Sequence, residues 1–333
     1  MLEASHYESL ENSEVRCCLC HHRCVIAEGK RGVCSARENR KGKLFSLVRN
    51  RLVAANVDPV EKKPLFHFLP GTMSMSIATA GCNFRCSFCQ NHSISQLGRG
   101  DVPGVEVEPS KVVGAALESG CRSISYTYTE PVVFFETAFE TGVTARSKGL
   151  RNIFVTNGYI TKEAARDTKE FLDAANVDLK SFSDDTYGKF CGARLNGVLE
   201  GMDNLLEAGV WVEITTLVIP GLNDSDEELG AIAKHIASRS KDIPWHVSRF
   251  HPDHRMLDRP TTPVDSLDRA RRAGEAAGLV FIYTGNIAGK GENTICPKCG
   301  KMVIERLGFS VLSVALDGGR CEACGNELPG CFG

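Results

Sequence analysis

The stretch AGCNFRCSFCQN places Cys82, Cys86 and Cys89 within eight residues. Thiolates at such spacing bind metal, yet a structural zinc ion takes four protein ligands and a 4Fe-4S cluster normally takes four cysteines. Three cysteines leave one iron of a cluster without a protein ligand. An open coordination position separates a catalytic metal site from a structural one, so the trio is expected to let a small molecule bind iron directly. The competing reading is a zinc site closed by a remote thiol, with Cys121 or Cys191 available.

Two further cysteine groups flank this one. Near the start, CCLCHHRCVIAEGKRGVC reads as Cys17-x2-Cys20-x3-Cys24-x9-Cys34. Its four thiolates suit zinc or an auxiliary iron-sulfur cluster; spacing alone does not decide, and zinc is the first expectation. His21 and His22 are read as surface residues, because four cysteines already complete a site. Near the end, the pairs Cys296/Cys299 and Cys321/Cys324 have zinc-ribbon spacing, each followed by a glycine where the chain must turn. The remaining thiols, Cys18, Cys121, Cys191 and Cys331, are expected to be buried or incidental.

Fifteen cysteines in a chain whose polar start, MLEASHYESLENSEVR, has no signal-peptide core argue for metal ligation in a reducing compartment, the cytoplasm, rather than disulfides. A formal net charge of −2 gives no electrostatic motive for nucleic acid, and the ribbon-like tail carries no dense basic patch. No apolar run approaches the roughly 18 residues of a membrane helix.

The elements that must hold these groups follow from periodicity. SMSIATA, SISYTY, NIFVTN, NVDLK, WVEITTLVI, WHVSRF and LVFIYTG are short runs rich in apolar, β-branched or aromatic residues, as buried parallel strands are. Helical patterns lie between them, among them PSKVVGAALESG, PVVFFETAFETGVTARSKG, TKEAARDTKEFLDAA and DSDEELGAIAKHIASRS, the last with Asp224 or Ser225 as its cap. Such alternation implies a parallel α/β fold with right-handed crossovers, doubly wound or barrel. Polar residues after successive strands favour a barrel, whose sites lie at the strands' C-terminal ends. The glycines of GNIAGKGENT do not fit a phosphate-loop spacing.

With Phe88 as the aromatic, C-x3-C-x-aromatic-C after the first strand of such a domain resembles the signature of radical S-adenosylmethionine (SAM) enzymes. The resemblance implies a partial (β/α) barrel and a 4Fe-4S cluster whose open iron is chelated by SAM. It also implies one-electron cleavage of the sulfonium and hydrogen abstraction from a substrate, with the hard chemistry supplied by the cofactor. SYTYTEP stands where the superfamily carries a Gly-Gly-Glu-Pro-like segment, which makes Thr129 and Glu130 candidates for the cofactor's amino group although the glycines are replaced. VTNGY, VDLKSFSDDTYGKFCG, EITTLVIPGLNDS and SRFHPDH follow in the order of the glycyl-radical-activating branch. By that resemblance Asn157, Asp178, Lys180 and His251 are candidates for the cofactor or substrate face, with Lys180 holding a carboxylate and His251 meeting adenine. Val155 occupies a position where pyruvate formate-lyase activases carry an acid. The plainer readings are a solvated acid for Glu130, an internal ion pair for Asp178 with Lys180, and a packed core histidine for His251.

CLCHHRC, DPVEKKPLFHFLPG, GCNFRCSFCQNHSISQ, YTYTEP, DLKSF and NTICPKCG, in this order over nearly the whole chain, resemble the AmmeMemoRadiSam system radical SAM enzymes, which are similar to pyruvate formate-lyase activating enzyme. The expected organisation is a four-cysteine module at 1–45, a linker at 46–72, the partial barrel at 73–288 and a zinc-ribbon-like module at 289–333. The expected activity is reductive SAM cleavage supported by an electron donor and acting on a protein, peptide or small molecule. A non-enzymatic iron-sulfur electron carrier or zinc-ribbon adaptor is the alternative, and it leaves the polar strand ends without a role.

Overall fold

The computed structural model describes residues 2–98, 100–287 and 289–333. Met1 and Ala288, at the edges of two of the expected ranges, lie outside the described residues. The chain divides into two units, one of 1–58, 73–175 and 187–210, the other of 59–72, 176–186 and 211–333.

In the first unit the strands β1 (Arg51–Pro59), β2 (Met73–Thr79), β3 (Val105–Glu106), β4 (Ser123–Tyr126) and β5 (Arg151–Thr156) stand in the order β5-β4-β2-β1-β3. Strand β4 runs parallel to both β2 and β5, with Ser123 opposite Ser74 and Arg151, while β3 pairs antiparallel with β1. β2 and β4 are buried almost throughout. Both alternate serine with apolar residues, MSMSIAT and SISY, yet the serines are buried too, and Ser74 Oγ lies 2.6 Å from Ser125 Oγ across the pair. Helices α1 (Pro109–Glu118), α2 (Phe135–Ser147), α3 (Lys162–Asp167) and α4 (Leu195–Glu207) complete the unit. α1 begins with proline at its first turn, where the missing N–H costs nothing, and Thr161 caps α3 by accepting the Ala164 N–H.

The amino-terminal residues of this unit form two small antiparallel sheets, one of 2–3, 37–40 and 43–46, the other of 7–9, 15–17 and 25–26. They are fixed by a buried ion pair. Arg37 Nη2 lies 2.6 Å from Glu136 Oε1, and that oxygen also accepts the Ser5 N–H at 2.8 Å. Burial raises the Glu136 pKa, but the Arg37 guanidinium and Ser5 outweigh it and hold the carboxyl below its ordinary range. Removing one partner of such a pair costs about 3–5 kcal/mol.

The second unit carries β6 (Ala174–Asp178, its last three residues in this unit), β7 (Trp211–Val218), β8 (Trp245–Arg249) and β9 (Ile282–Gly285), ordered β6-β7-β8-β9. β8 is parallel to both β7 and β9. Its helices are α5 (Asp226–Arg239) and α6 (Val264–Ala277). Ser225 caps α5 by accepting the Glu228 N–H, and three acids occupy the first turn, where the helix dipole favours negative charge. Every strand read from the sequence is present.

Residues 46–72 differ from the linker expected there. Residues 51–59 are strand β1, and Leu65, Phe66, His67, Phe68 and Leu69 are all buried. The reason lies in Glu213 of β7, whose carboxylate accepts the N–H groups of Phe66 (3.0 Å) and His67 (2.8 Å), the Trp211 indole N–H (3.1 Å) and His246 Nε2–H (2.6 Å). A buried carboxylate must be satisfied, and two of its four donors are the segment's own backbone N–H groups. Arg306, from the strand Met302–Leu307, donates to the Phe66 carbonyl at 2.8 Å and lies 4.2 Å from the Phe66 ring centre.

Candidate functional site

The chain leaves β2 at Thr79 and enters the cysteine loop through Gly81, whose φ of +103° favours glycine. In the loop the Phe84 N–H donates to Cys82 Sγ at 3.3 Å, and Cys89 Sγ lies 3.3 Å from Ser95 Oγ. Arg85 closes the loop, donating from Nη1 to the carbonyls of Cys82 (2.9 Å) and Phe84 (3.2 Å). A π-helical turn, Tyr187–Cys191, supports it from outside: the Phe190 and Cys191 carbonyls accept the N–H groups of Ser87 and Arg85 at 2.8 and 2.7 Å. Single π turns are frequent at functional sites.

Glu130 is buried rather than solvated, which corrects the plainer reading of this acid. Its Oε1 accepts the Thr156 hydroxyl (2.7 Å) and the Val132 N–H (3.1 Å), while Oε2 accepts the Asn157 N–H (2.8 Å). The carboxylate therefore joins the ends of β4 and β5. Asn157, so placed, donates from Nδ2 to Asn83 Oδ1 at 2.7 Å, with Cys82 Sγ at 3.8 Å from the same nitrogen, and accepts the Tyr159 N–H at 3.1 Å. Thr129 donates its hydroxyl to the Thr79 carbonyl at 2.8 Å. Thus Thr129, Glu130 and Asn157 converge on the Cys82 end of β2.

In the second unit Lys180 Nζ lies 2.8 Å from Asp178 Oδ2, the internal ion pair weighed for these residues. The Lys180 carbonyl accepts the Asn223 side-chain N–H at 2.7 Å, which fixes the turn after β6. His251, after β8, is exposed, with Thr261 Oγ1 3.4 Å from its Nδ1, and this corrects its reading as a packed core histidine.

The trio fits an iron-sulfur cluster. Burial first, then the negative charge of Glu130, Cys86 and Cys89, pushes the Cys82 thiol well above its usual range. Backbone N–H donation to Cys82 Sγ is the contact that stabilises cluster sulfur. The reading in which Cys121 closes a zinc site fails on register. Ser123 stands opposite Ser74, so Cys121 lies at the end of the sheet remote from Cys82, roughly 20–30 Å away at about 3.3 Å per residue.

At the other end of the chain Cys296, Cys299, Cys321 and Cys324 are, among the described residues, the one group of three or more whose ligand atoms all lie within 4.8 Å of one another. Sγ of Cys296 and Cys324 are 3.7 Å apart, and those of Cys299 and Cys321 3.8 Å. Four sulfurs at about 2.3 Å from one tetrahedral ion stand about 3.8 Å apart, so this group is built for a single metal ion. Its apolar base is Val303, Ile304 and Leu328.

Sequence reasoning passed over Asn83 and Arg85, which lie inside the cysteine motif as if spacers, and Arg37, Glu136 and Glu213. For Glu213 a signal existed: an acid within the apolar run WVEITTLVI demands buried partners.

Residues 76–233 match the family model "Radical SAM superfamily". The "Uncharacterized protein MJ0808" of Methanocaldococcus jannaschii is 42% identical over 332 residues, 98% of this chain and 99% of that protein. A "Probable GTP 3',8-cyclase" of Methanosarcina acetivorans is 31% identical over 157 residues, 44% of this chain and 46% of that protein. Among solved structures, Streptococcus suis SuiB is similar in fold with a TM-score of 0.51 and 13% identity, over 68% of this chain and 52% of that one. The chain spans about half the length of the cyclase and of SuiB. With a parallel α/β partial barrel fold and the cysteine trio after strand β2, residues 76–233 carry a radical SAM domain.

Proposed function

We propose that this chain cleaves SAM reductively at a 4Fe-4S cluster held by Cys82, Cys86 and Cys89 and abstracts hydrogen from its substrate. The observation that carries the reading is the assembly of that trio with Glu130 and Asn157 at the ends of β2, β4 and β5. When bound, the cluster and SAM supply the electron and the hydrogen-abstracting group. The chain's residues do the positioning. Glu130 fixes Asn157 beside Cys82, and a carboxylate so placed suits the cofactor's amino group. Thr129 pins the same turn to β2. Lys180, paired with Asp178, is assigned to a carboxylate, and exposed His251 to adenine.

The motif order supports a finer reading, an AmmeMemoRadiSam system enzyme similar to pyruvate formate-lyase activating enzyme, acting in the cytoplasm with a low-potential electron donor. Its substrate is then either a partner glycyl radical enzyme or a peptide or small molecule. The likeness to GTP 3',8-cyclases covers 44% of this chain and carries no substrate with it. Zinc is the metal proposed for Cys296, Cys299, Cys321 and Cys324, because four thiolates closed at tetrahedral spacing leave no open position and suit a structural ion.

The test is electron paramagnetic resonance of the anaerobically reconstituted, reduced protein. SAM is expected to shift the g values of the wild-type signal, and the Cys82→Ala/Cys86→Ala/Cys89→Ala variant is expected to lose the SAM-sensitive signal. A cluster signal in wild type that SAM leaves unchanged would contradict ligation at an open iron.

A further inference from the structure

We infer that the amino-terminal cysteines Cys17, Cys20, Cys24 and Cys34 hold a second four-iron cluster, one that passes single electrons to the cluster proposed at Cys82, Cys86 and Cys89. This rests on the proposed function only for the recipient of the electron. It departs from the first expectation of zinc at these residues.

All four cysteines line one cavity, together with Arg37 and Asn83. Their sulfurs are not drawn together as a single ion draws its ligands: among the described residues, the group within 4.8 Å is the carboxy-terminal one. Cys82, Cys86 and Cys89 likewise do not form such a group. In a cubane each cysteine binds a different iron, so its sulfurs stand farther apart than around one zinc ion. Within one chain, the ribbon cysteines therefore meet the close spacing that one ion requires, and neither of the other two groups does.

Two buried donors of the cavity lining have no hydrogen-bond partner, Arg37 Nε and Asn83 Nδ2. Buried donors left unmet are costly, and cluster sulfides and thiolates are acceptors for N–H groups. Arg37 also brings a positive charge against the net negative charge of a cluster with four thiolates. Four protein ligands close every iron, so this cluster has no position for substrate, which leaves electron transfer as its chemistry.

The two cysteine loops are joined at two points and approach closely at a third. Arg85, between Cys82 and Cys86, donates from Nη2 to the Val33 carbonyl at 2.6 Å and reaches Ser35 Oγ at 3.5 Å, the residues on either side of Cys34. His22, which lines the cavity, places Nε2 2.8 Å from the Asn83 carbonyl. A Cβ on Gly81 would lie 3.2 Å from the Cys34 carbonyl. Asn83 thus walls the cavity on one side and is bonded to Cys82 on the other. In the transfer, a ferredoxin- or flavodoxin-class donor, or dithionite in the test, reduces the amino-terminal cluster by one electron. That cluster is reoxidised as the electron passes to its neighbour, and no bond is made or broken.

The experiment is metal analysis and electron paramagnetic resonance of anaerobically reconstituted full-length protein. Wild type is expected to carry about eight irons and eight sulfides, and the Cys82→Ala/Cys86→Ala/Cys89→Ala variant about four of each with a reduced-cluster signal that SAM does not alter. Cys20→Ser/Cys24→Ser is expected to halve the wild-type iron while keeping the SAM-sensitive signal, which serves equally if the alanine variant fails to fold. About four irons and two zinc ions in wild type would overturn the proposal. So would a fully reduced wild-type spectrum equal to the sum of the two single-cluster spectra, because neighbouring reduced clusters broaden each other by spin coupling. Loss of SAM sensitivity alone, with iron unchanged, would instead strike the proposed function and leave this cluster standing.

Discussion

At the scale of residues, the site depends on carboxylate geometry as much as on thiols. Glu130 accepts from Thr156, Val132 and Asn157 with two oxygens. Glu130→Gln leaves one accepting oxygen and adds a donor where acceptors are needed. It is expected to cost about 1–3 kcal/mol and to weaken SAM binding through the displaced Asn157; urea unfolding and a SAM titration check both, and unchanged stability would contradict the clamp. Cys191 offers a contrast, since it meets the cysteine loop through its backbone carbonyl. Cys191→Ala is expected to retain the wild-type iron and sulfide, and loss of about half of the iron would make it a ligand. The cysteines were legible because their chemistry is in the residue type and its spacing, and Glu130 because its segment SYTYTEP resembles the superfamily's Gly-Gly-Glu-Pro-like one. Asn83 and Arg85 were not, because their roles come from partners far along the chain.

At the scale of elements, α4 lies so close to the loop after β5 that side chains are excluded. A Cβ on Gly201 would fall 1.7 Å from the Gly158 carbonyl oxygen, backbone against backbone. Gly114, within α1, has nothing within 4 Å of its would-be Cβ. Gly114→Ala is therefore expected to stabilise by about 0.5–1 kcal/mol through lost unfolded-state freedom, and Gly201→Ala to destabilise by at least about 1–3 kcal/mol while loosening the Asn157 loop. Chemical denaturation of the two variants decides, and stabilisation by both would contradict the close approach. The strands were readable because short segments rich in apolar, β-branched or aromatic residues recur between helical patterns. The small amino-terminal strands were not, since runs of two to four residues show no periodicity and are held by Arg37, Glu136 and turn contacts instead.

At the scale of the whole molecule, each unit has its own polar anchor. In the second unit, burial lowers the His67 pKa from 6.5 to about 4, against the opposing pull of Glu213. The neutral ring donates Nδ1–H to the Pro329 carbonyl (2.7 Å) and accepts the Tyr283 hydroxyl at Nε2 (2.7 Å). The unfolded chain takes up this proton below about pH 6.5 and the folded chain only near pH 4, so stability falls as pH drops through that window, by up to on the order of 3 kcal/mol. Glu213, also held below its ordinary range despite burial, through His246 and the segment's N–H groups, adds a loss of the same sign at lower pH. Thermal midpoints between pH 7 and 4.5 are expected to fall more steeply in wild type than in His67→Gln, and equal slopes would contradict the assignment. The motif DPVEKKPLFHFLPG looked like a linker because its prolines interrupt any period; tertiary contacts to Glu213 and Arg306 make it core. Ligation of the open iron at Cys82, Cys86 and Cys89 by SAM is tested by incubating reconstituted, reduced protein with SAM and measuring 5'-deoxyadenosine. Formation is expected in wild type and its loss on replacing any of the three cysteines; formation that survives Cys86→Ala would contradict SAM ligation at the trio.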